Sequence, residues 1–281
     1  MSSNRVRIGI IIFTLFIFTL FASSAFAQTS APTLLDDGYR DMYNLQFAQA
    51  HQAFLQWQQE HPNDPLGPVS DAAAYLFAEF DRLHVLEFEL FVQDARFEKR
   101  EKLSADPKLK QAFDADLAKC KEITTKILER DPNNADALFA SALTEGLRGD
   151  YLSLIEKKDM SALGNMKVGR AIAEKLIAAH PNYYDAYLAV GVENYLLSLK
   201  PAPMRWLLRM TGAQTDRAAG IEKLRITAEK GHYLQPYARL LLAVAALREG
   251  NQSRADELLS GLARQFPSNH LYAMELAKLQ R

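Results

Sequence analysis

The residues best suited to chemistry are few and scattered. His84 and Glu87 stand three apart in His84-Val85-Leu86-Glu87, a spacing that puts an imidazole and a carboxylate on one helix face. Helical metal sites of this type need matching Glu/His pairs on facing helices. No second copy occurs, and Leu83, Leu86 and Leu90 mark the stretch, with Glu89 beside it, as a packing face. His61 and His180 each precede a proline at the end of an expected helix, where partial positive charge suits the macrodipole and capping is the expected role. The single cysteine, Cys120, can form neither an intrachain disulfide nor a thiolate zinc site and reads as a small buried hydrophobe. There is no glycine-rich phosphate loop, nucleophile elbow or paired-cysteine motif. These residues imply no catalytic, metal or cofactor site, and the expected protein is not an enzyme.

A second group has the chemistry of binding. Tyr39, Glu145, Asn194 and Tyr195 fall on helices expected to line an inner face, with Glu193 beside them. Carboxylates and amides there could hold a peptide terminus, or serve only solvation and hydrogen bonding between repeats. Arg205, Trp206 and Arg209 lie in a proline-containing insertion, Leu199 to Thr215, and join an aromatic anchor to cations, a mixture enriched at interfaces. The insertion's Met204, Leu207, Leu208 and Met210 allow two readings: a plug for the interior, or a contact surface for a partner. A basic membrane-surface helix is a third, for which Arg205 and Arg209 alone supply little charge.

These residues need elements to position them, and the chain reads as helices from Leu34 onward, with apolar residues recurring at three and four. Four segments share one spacing: a small residue, packing positions at +4 and +7, and a proline at +12. They are Ala50-Phe54-Trp57-Pro62, Cys120-Thr124-Ile127-Pro132, Gly169-Ala173-Leu176-Pro181 and Ala255-Leu259-Leu262-Pro267. The small residue lets two helices cross closely, and the proline ends the helix. This spacing resembles the second helix of a tetratricopeptide repeat. The resemblance implies an all-α superhelix of about five helix pairs within residues 34–281, with two insertions and a C-terminal capping helix from His270 to Arg281. Within that frame Ser70 is expected to cap a long helix running from Asp71 to about Arg96. Pro107 opens a helix reaching about Arg130, Gly149-Asp150-Tyr151 forms an inter-helix turn, and Leu152 to Leu163 is an insertion before a second turn-like triplet, Gly164-Asn165-Met166. Gly220 and Leu224 mark the second helix of the fourth pair, and Gly250-Asn251-Gln252 the turn of the fifth.

One stretch resembles a narrower group. Gly191-Val192-Glu193-Asn194-Tyr195-Leu196-Leu197-Ser198-Leu199-Lys200-Pro201, continuing through Trp206-Leu207-Leu208 to Gly212 and Asp216-Arg217-Ala218-Ala219-Gly220-Ile221, is similar to the corresponding segment of eukaryotic tetratricopeptide proteins of the Iml2 and tetratricopeptide-39 type. That resemblance implies a binding or clearance protein. The presence here of an apparent leader and a shorter chain limits what it implies to the fold.

The leader is the remaining signal. Arg5 and Arg7 precede an uncharged apolar run, Ile8 to Phe21, and Ala25-Phe26-Ala27 supplies a small-x-small cleavage site. This is the layout of a secretory signal peptide over residues 1–27, cut after Ala27, followed by a short leader over 28–33. The expected protein is bacterial and periplasmic or secreted, with no stable membrane span after cleavage. Its net charge of −1 over 281 residues recommends no nucleic-acid partner.

The inner positions, Leu35, Tyr39, Met42, Phe139, Leu143, Leu188, Val192, Tyr195, Leu240, Val244 and Leu247, are apolar where peptide-binding repeats often carry basic or amide side chains. An open apolar groove of that length would invite aggregation. The expectation is internal filling, by the insertions or by tight closure, or else an apolar ligand. The expected function is a scaffold that binds a protein or peptide partner in the cell envelope. The alternative is a periplasmic protein holding a small apolar ligand in a closed helical cavity.

Overall fold

The computed structural model describes residues 32–86 and 91–279. The expected signal peptide and most of the expected leader, and Glu87, Glu89 and Leu90, lie outside the described residues. Every regular element described is helical. In chain order these are α1 (Leu34–Tyr43), α2 (Phe47–Glu60), α3 (Leu66–Arg82), α4 (Asp94–Lys99), α5 (Pro107–Arg130), α6 (Ala135–Asp150), α7 (Asp159–Ala179), α8 (Tyr187–Ser198), α9 (Ala202–Met210), α10 (Arg217–Lys230), α11 (Gln235–Arg248), α12 (Gln252–Gln265) and α13 (His270–Leu279). A π turn (Tyr151–Ile155) follows α6, and a 3-10 turn (Tyr184–Ala186) precedes α8.

The helices pack in sequential pairs: α1 with α2, α3 with α5, α6 with α7, α8 with α10, and α11 with α12, with α13 against α12. The second helix of each pair carries the small residue that permits the crossing. Ala50, Cys120 and Ala255 are fully buried. At Gly220 a Cβ would stand only 2.6 Å from the Tyr195 backbone nitrogen, so α10 lies directly on the α8 backbone. Helices α2, α5, α7 and α12 stop two residues before Pro62, Pro132, Pro181 and Pro267. Local caps open the helices. Thr33 and Asp36 form a capping box, and Asp106, Asn134, Asp216 and Asn251 each accept a backbone N–H from the first turn that follows.

Three expected boundaries move. Helix α3 begins at Leu66, not at Asp71, because the Asp64 carboxylate accepts the Leu66 N–H at 2.8 Å. Ser70 is therefore inside the helix, and its hydroxyl donates to the Tyr39 hydroxyl at 3.0 Å. The same helix ends at Arg82 rather than near Arg96. The chain there turns through His84, at φ 56°, and folds Val85 back into the core. His84 is thus an exposed turn residue. Gly149-Asp150-Tyr151 forms no turn. The helix continues through it into the π turn, which carries Tyr151 onto the Phe113 ring (centroids 5.5 Å apart) and buries Ile155. The real turn is Glu156 to Lys158, with Lys157 at φ 54°, and Gly164-Asn165-Met166 lies within α7. The expected insertion there is extra helix on both arms of the pair.

The array closes on itself. Tyr39 of α1 stacks on Tyr233, in the loop before α11, with ring centroids 4.8 Å apart. The Tyr43 hydroxyl donates to the Tyr233 carbonyl at 2.9 Å, and the Tyr43 ring packs on Phe266. Asn269 donates to the Tyr43 carbonyl, and the Ser268 N–H to the Asn44 side-chain oxygen. Across the interior Phe77 of α3 meets Tyr237 of α11 edge-on, at 5.7 Å. Of the expected inner positions Leu35, Tyr39, Met42, Phe139, Leu188, Tyr195 and Val244 are buried, and Leu143, Val192, Leu240 and Leu247 are half-buried. Closure by the helices themselves, rather than by the 199–215 insertion, removes the long apolar groove from water.

Asp185 sets the loop that makes this closure. Its buried carboxylate accepts the backbone N–H groups of His232, Tyr233 and Leu234 at 3.0–3.1 Å, and Gly231 leaves it room. Asp185→Asn puts an amide donor against these N–H groups. It should cost about 2–3 kcal/mol in urea unfolding and raise hydrogen exchange in α1. Lys157→Gly, at an exposed left-handed position, should raise stability by up to about 1 kcal/mol in the same assay.

Candidate functional site

The 199–215 insertion stands out physically. Pro201, in an extended conformation, ends α8 and starts α9, and Thr211-Gly212, with Gly212 at φ 79°, ends it. Among the described residues no other helix packs closely along α9. Residues Pro203, Trp206, Leu207 and Met210 recur at i, i+3, i+4 and i+7 and point to solvent: Trp206 is 65%, Leu207 55% and Met210 67% exposed, with Met204 at 49% beside them. The residues nearest the body are Arg205 and Leu208. The helix is inside out for a globular protein, with its apolar side in water, and the plug reading is replaced by an external one.

A polar frame holds α9 in this orientation. Arg205 donates to the Lys200 carbonyl at 2.8 Å and so caps the end of α8, and Arg209 donates to the buried Thr215 hydroxyl at 2.6 Å. Beyond the turn, Lys167 of α7 bonds the Thr211 carbonyl and hydroxyl, and Arg170 of α7 bonds the Gly212 carbonyl at 3.1 Å. Glu193, wholly buried in α8, accepts from Arg170 at 2.9 Å and from the Gln214 backbone at 3.0 Å. Asn194 donates to the Gln214 side chain at 2.6 Å and accepts the Asp216 N–H at 3.1 Å. A buried pair such as Glu193–Arg170 contributes little net attraction, but losing one partner would cost about 3–5 kcal/mol.

The candidate residues thus separate. Arg205, Trp206 and Arg209 come together on α9, with Trp206 directed outward, Arg205 turned to the body and Arg209 exposed but bonded through Nε to Thr215. Asn194 is two shells beneath them, bound to the loop that returns from α9. Tyr195 is buried under α10, its hydroxyl near Arg217 and its pKa raised by burial. Tyr39 is a core residue in the closure, far along the chain from α9. Glu145 is half-buried where α6 crosses α7 at Gly169. His180 bonds the Asn133 carbonyl at 2.7 Å, His61 lies against the Trp57 ring, and Cys120 is fully buried, accepting weakly from the Thr144 hydroxyl at 3.5 Å.

One polar cluster has no counterpart in the sequence reading. His51 and Gln58 of α2 reach the buried Asp71 of α3, His51 by a hydrogen-bond contact through Nδ1, while Tyr75 lies tilted against the His51 ring. Asp116 of α5 lies against Asp71, and Lys119 donates to Gln58 at 2.7 Å. Burial, together with repulsion from Asp71, pushes the Asp116 carboxyl up to about 7. His51, Asp71 and Asp116 are remote in sequence with no motif spacing, so only helix packing reveals them. The described surface also has an open depression of about 450 Å³ between Lys102–Ala105 and Tyr151–Glu156, and a smaller one of about 220 Å³ beside His84 and Arg100. Among the described residues no group of three or more His, Cys, Asp or Glu side chains is placed to hold a metal ion, and no helix is long and apolar enough to cross a membrane.

No protein-family model matches the chain, and no curated protein matches it.

The acid pair makes stability pH-dependent. Asp116 holds a proton in the folded state above the pH at which it would lose it unfolded, so its contribution is present below about pH 4 and is lost as pH rises to about 7. Asp116→Asn should therefore gain on the native protein between pH 5 and pH 8, read as a urea midpoint difference that grows with pH. An equal difference at both pH values would remove Asp116 from this role.

Proposed function

We propose that this chain is a non-catalytic scaffold that works by docking, with the outward face of α9 as its working surface. The reading combines a tetratricopeptide-type superhelix with export to the bacterial periplasm or beyond. Support for the superhelix is the sequential pairing, the buried small residue at each crossing and the proline that follows four of the five second helices, α10 ending instead at Gly231. Support for export is the layout of residues 1–27.

The observation that carries the choice of surface is the inversion of α9. Exposing Trp206, Leu207 and Met210 together forgoes about 1.5–3 kcal/mol for each side chain that burial would supply. The frame of Arg205, Arg209, Arg170 and Glu193 holds the helix in that orientation. A rigidly presented apolar patch has the form of an interaction surface. The positions that would line an internal ligand cavity are packed against other helices, so docking on the outside is the reading carried forward.

The test is capture from a detergent-solubilised cell-envelope extract, using the full chain as bait. Trp206→Ala should lose the captured partner while leaving the thermal midpoint unchanged, because the ring touches little of its own protein. Arg209→Ala should weaken capture and also loosen the 211–216 loop, seen as faster hydrogen exchange there. Capture that survives both substitutions rules out α9 as the surface.

A further inference from the structure

We infer that the α9 face rests on an anionic lipid bilayer, seating the scaffold on a membrane surface. This rests on the reading of α9 as the working face and names the chemistry of what it meets.

Three observations select a bilayer. The first is charge. Residues 199–215 contain Lys200, Arg205 and Arg209 and no acidic residue, and the nearby carboxylates are engaged, Glu174 and Glu193 with Gln214 and Arg170, and Asp216 with the Ala219 N–H. Arg209 uses Nε for Thr215 yet remains exposed, and Arg205 is half-exposed. Such a rim is complementary to anionic headgroups, and in a pairing of two identical copies it would face itself with repulsion. The second is shape. Among the described residues no helix packs closely along α9, and its exposed apolar side forms a ridge. A fluid interface moulds itself to a ridge, whereas a protein partner would need a matching groove. The third is size. Nine residues of helix extend about 13 Å, and the outward face holds about five apolar side chains. That is well short of the roughly 800 Å² per partner of a stable protein interface. An amphipathic helix lying in the headgroup region has no such threshold, because binding grows with apolar area and is reinforced by cations. Trp206, an aromatic with a polar N–H, belongs at that depth. With Arg205 tethered inward and Pro203, Trp206, Leu207 and Met210 outward, α9 would lie in the membrane plane, its apolar side sunk among the acyl chains and the exposed Arg209 at its edge facing the phosphates.

The chain has two tryptophans, and the other, Trp57, is half-buried with its N–H bonded to Asp64. The emission lost in Trp206→Phe therefore isolates the α9 signal in the full chain. Phosphatidylcholine vesicles with and without an equal part of phosphatidylglycerol are the probes. With phosphatidylglycerol, Trp206 emission should shift to the blue and acrylamide quenching should fall several-fold. Brominated acyl chains should quench it, and the effect should fade on raising salt from about 0.1 M to about 1 M. Leu207→Glu should abolish the shift. Because residues 8–21 could themselves bind vesicles, sedimentation alone is not the readout; Trp206 left water-exposed on sedimented vesicles overturns the inference. Equal shifts with neutral vesicles overturn the requirement for an anionic surface. A blue-shifted Trp206 without lipid that depends on protein concentration assigns the face to a second copy. If vesicles leave Trp206 unchanged while Trp206→Ala still loses a protein from the detergent extract, the membrane fails as occupant and the docking reading stands with a protein groove. If both assays are negative, α9 is not a working surface.

Discussion

The closure of this helical array depends on one buried carboxylate. Asp185 lies between the third and fourth helix pairs and gathers three backbone N–H groups from the loop before α11. That loop would otherwise bury unsatisfied donors, at a cost comparable to a lost hydrogen bond for each. Once it is held, Tyr233 is aimed at α1: its ring receives Tyr39, its carbonyl receives the Tyr43 hydroxyl, and the neighbouring His232 reaches Asp36 at 2.6 Å. The first pair is thereby packed against the last, and the apolar inner positions of successive helices become one interior.

Closing the interior moves the possibilities for function to the outside. The departures from regular pairing are fixed there by arginines more than by apolar packing. Arg248 at the end of α11 clamps the carbonyls of Phe91 and Val92 and the Asp94 carboxylate. Arg100 reaches Ser153 and Asp159 across the base of the third pair. Arg170, Arg205 and Arg209 hold the α9 segment. A planar guanidinium with five donors can satisfy several carbonyls at once, which suits it to fixing irregular backbone. In α9 the consequence is chemical as well as mechanical: with the cations engaged on one side, the apolar side has only solvent or a partner to face.

Local signals were legible in the sequence where the physics is local. The four proline-terminated helices, the Asp106-Pro107 start, the 270–279 cap and the Gly250-Asn251 turn stand where spacing and capping chemistry put them. Errors arose where a tertiary contact overruled a local signal. Ser70 has the chemistry of an N-cap, but Asp64 captures the helix start earlier and Ser70 serves Tyr39 instead. Gly149-Asp150-Tyr151 has the composition of a turn, but burying Tyr151 on Phe113 and Ile155 in the core keeps the chain helical for another turn. Of the candidate site residues, Trp206, Arg205 and Arg209 were recognisable as an unusual mixture. Nothing local distinguished Tyr39 and Tyr195, which became core, from residues lining an open groove.

The amino-acid sequence by itself determined a helical chain with repeated close crossings, because a small residue and a proline twelve positions apart act through sterics within a single hairpin. Only the tertiary structure decided that the array closes, that α9 turns its apolar side outward, and that His51, Asp71 and Asp116 meet. Each depends on groups from helices distant in sequence, brought within hydrogen-bond reach by packing, and no spacing along the chain encodes that proximity.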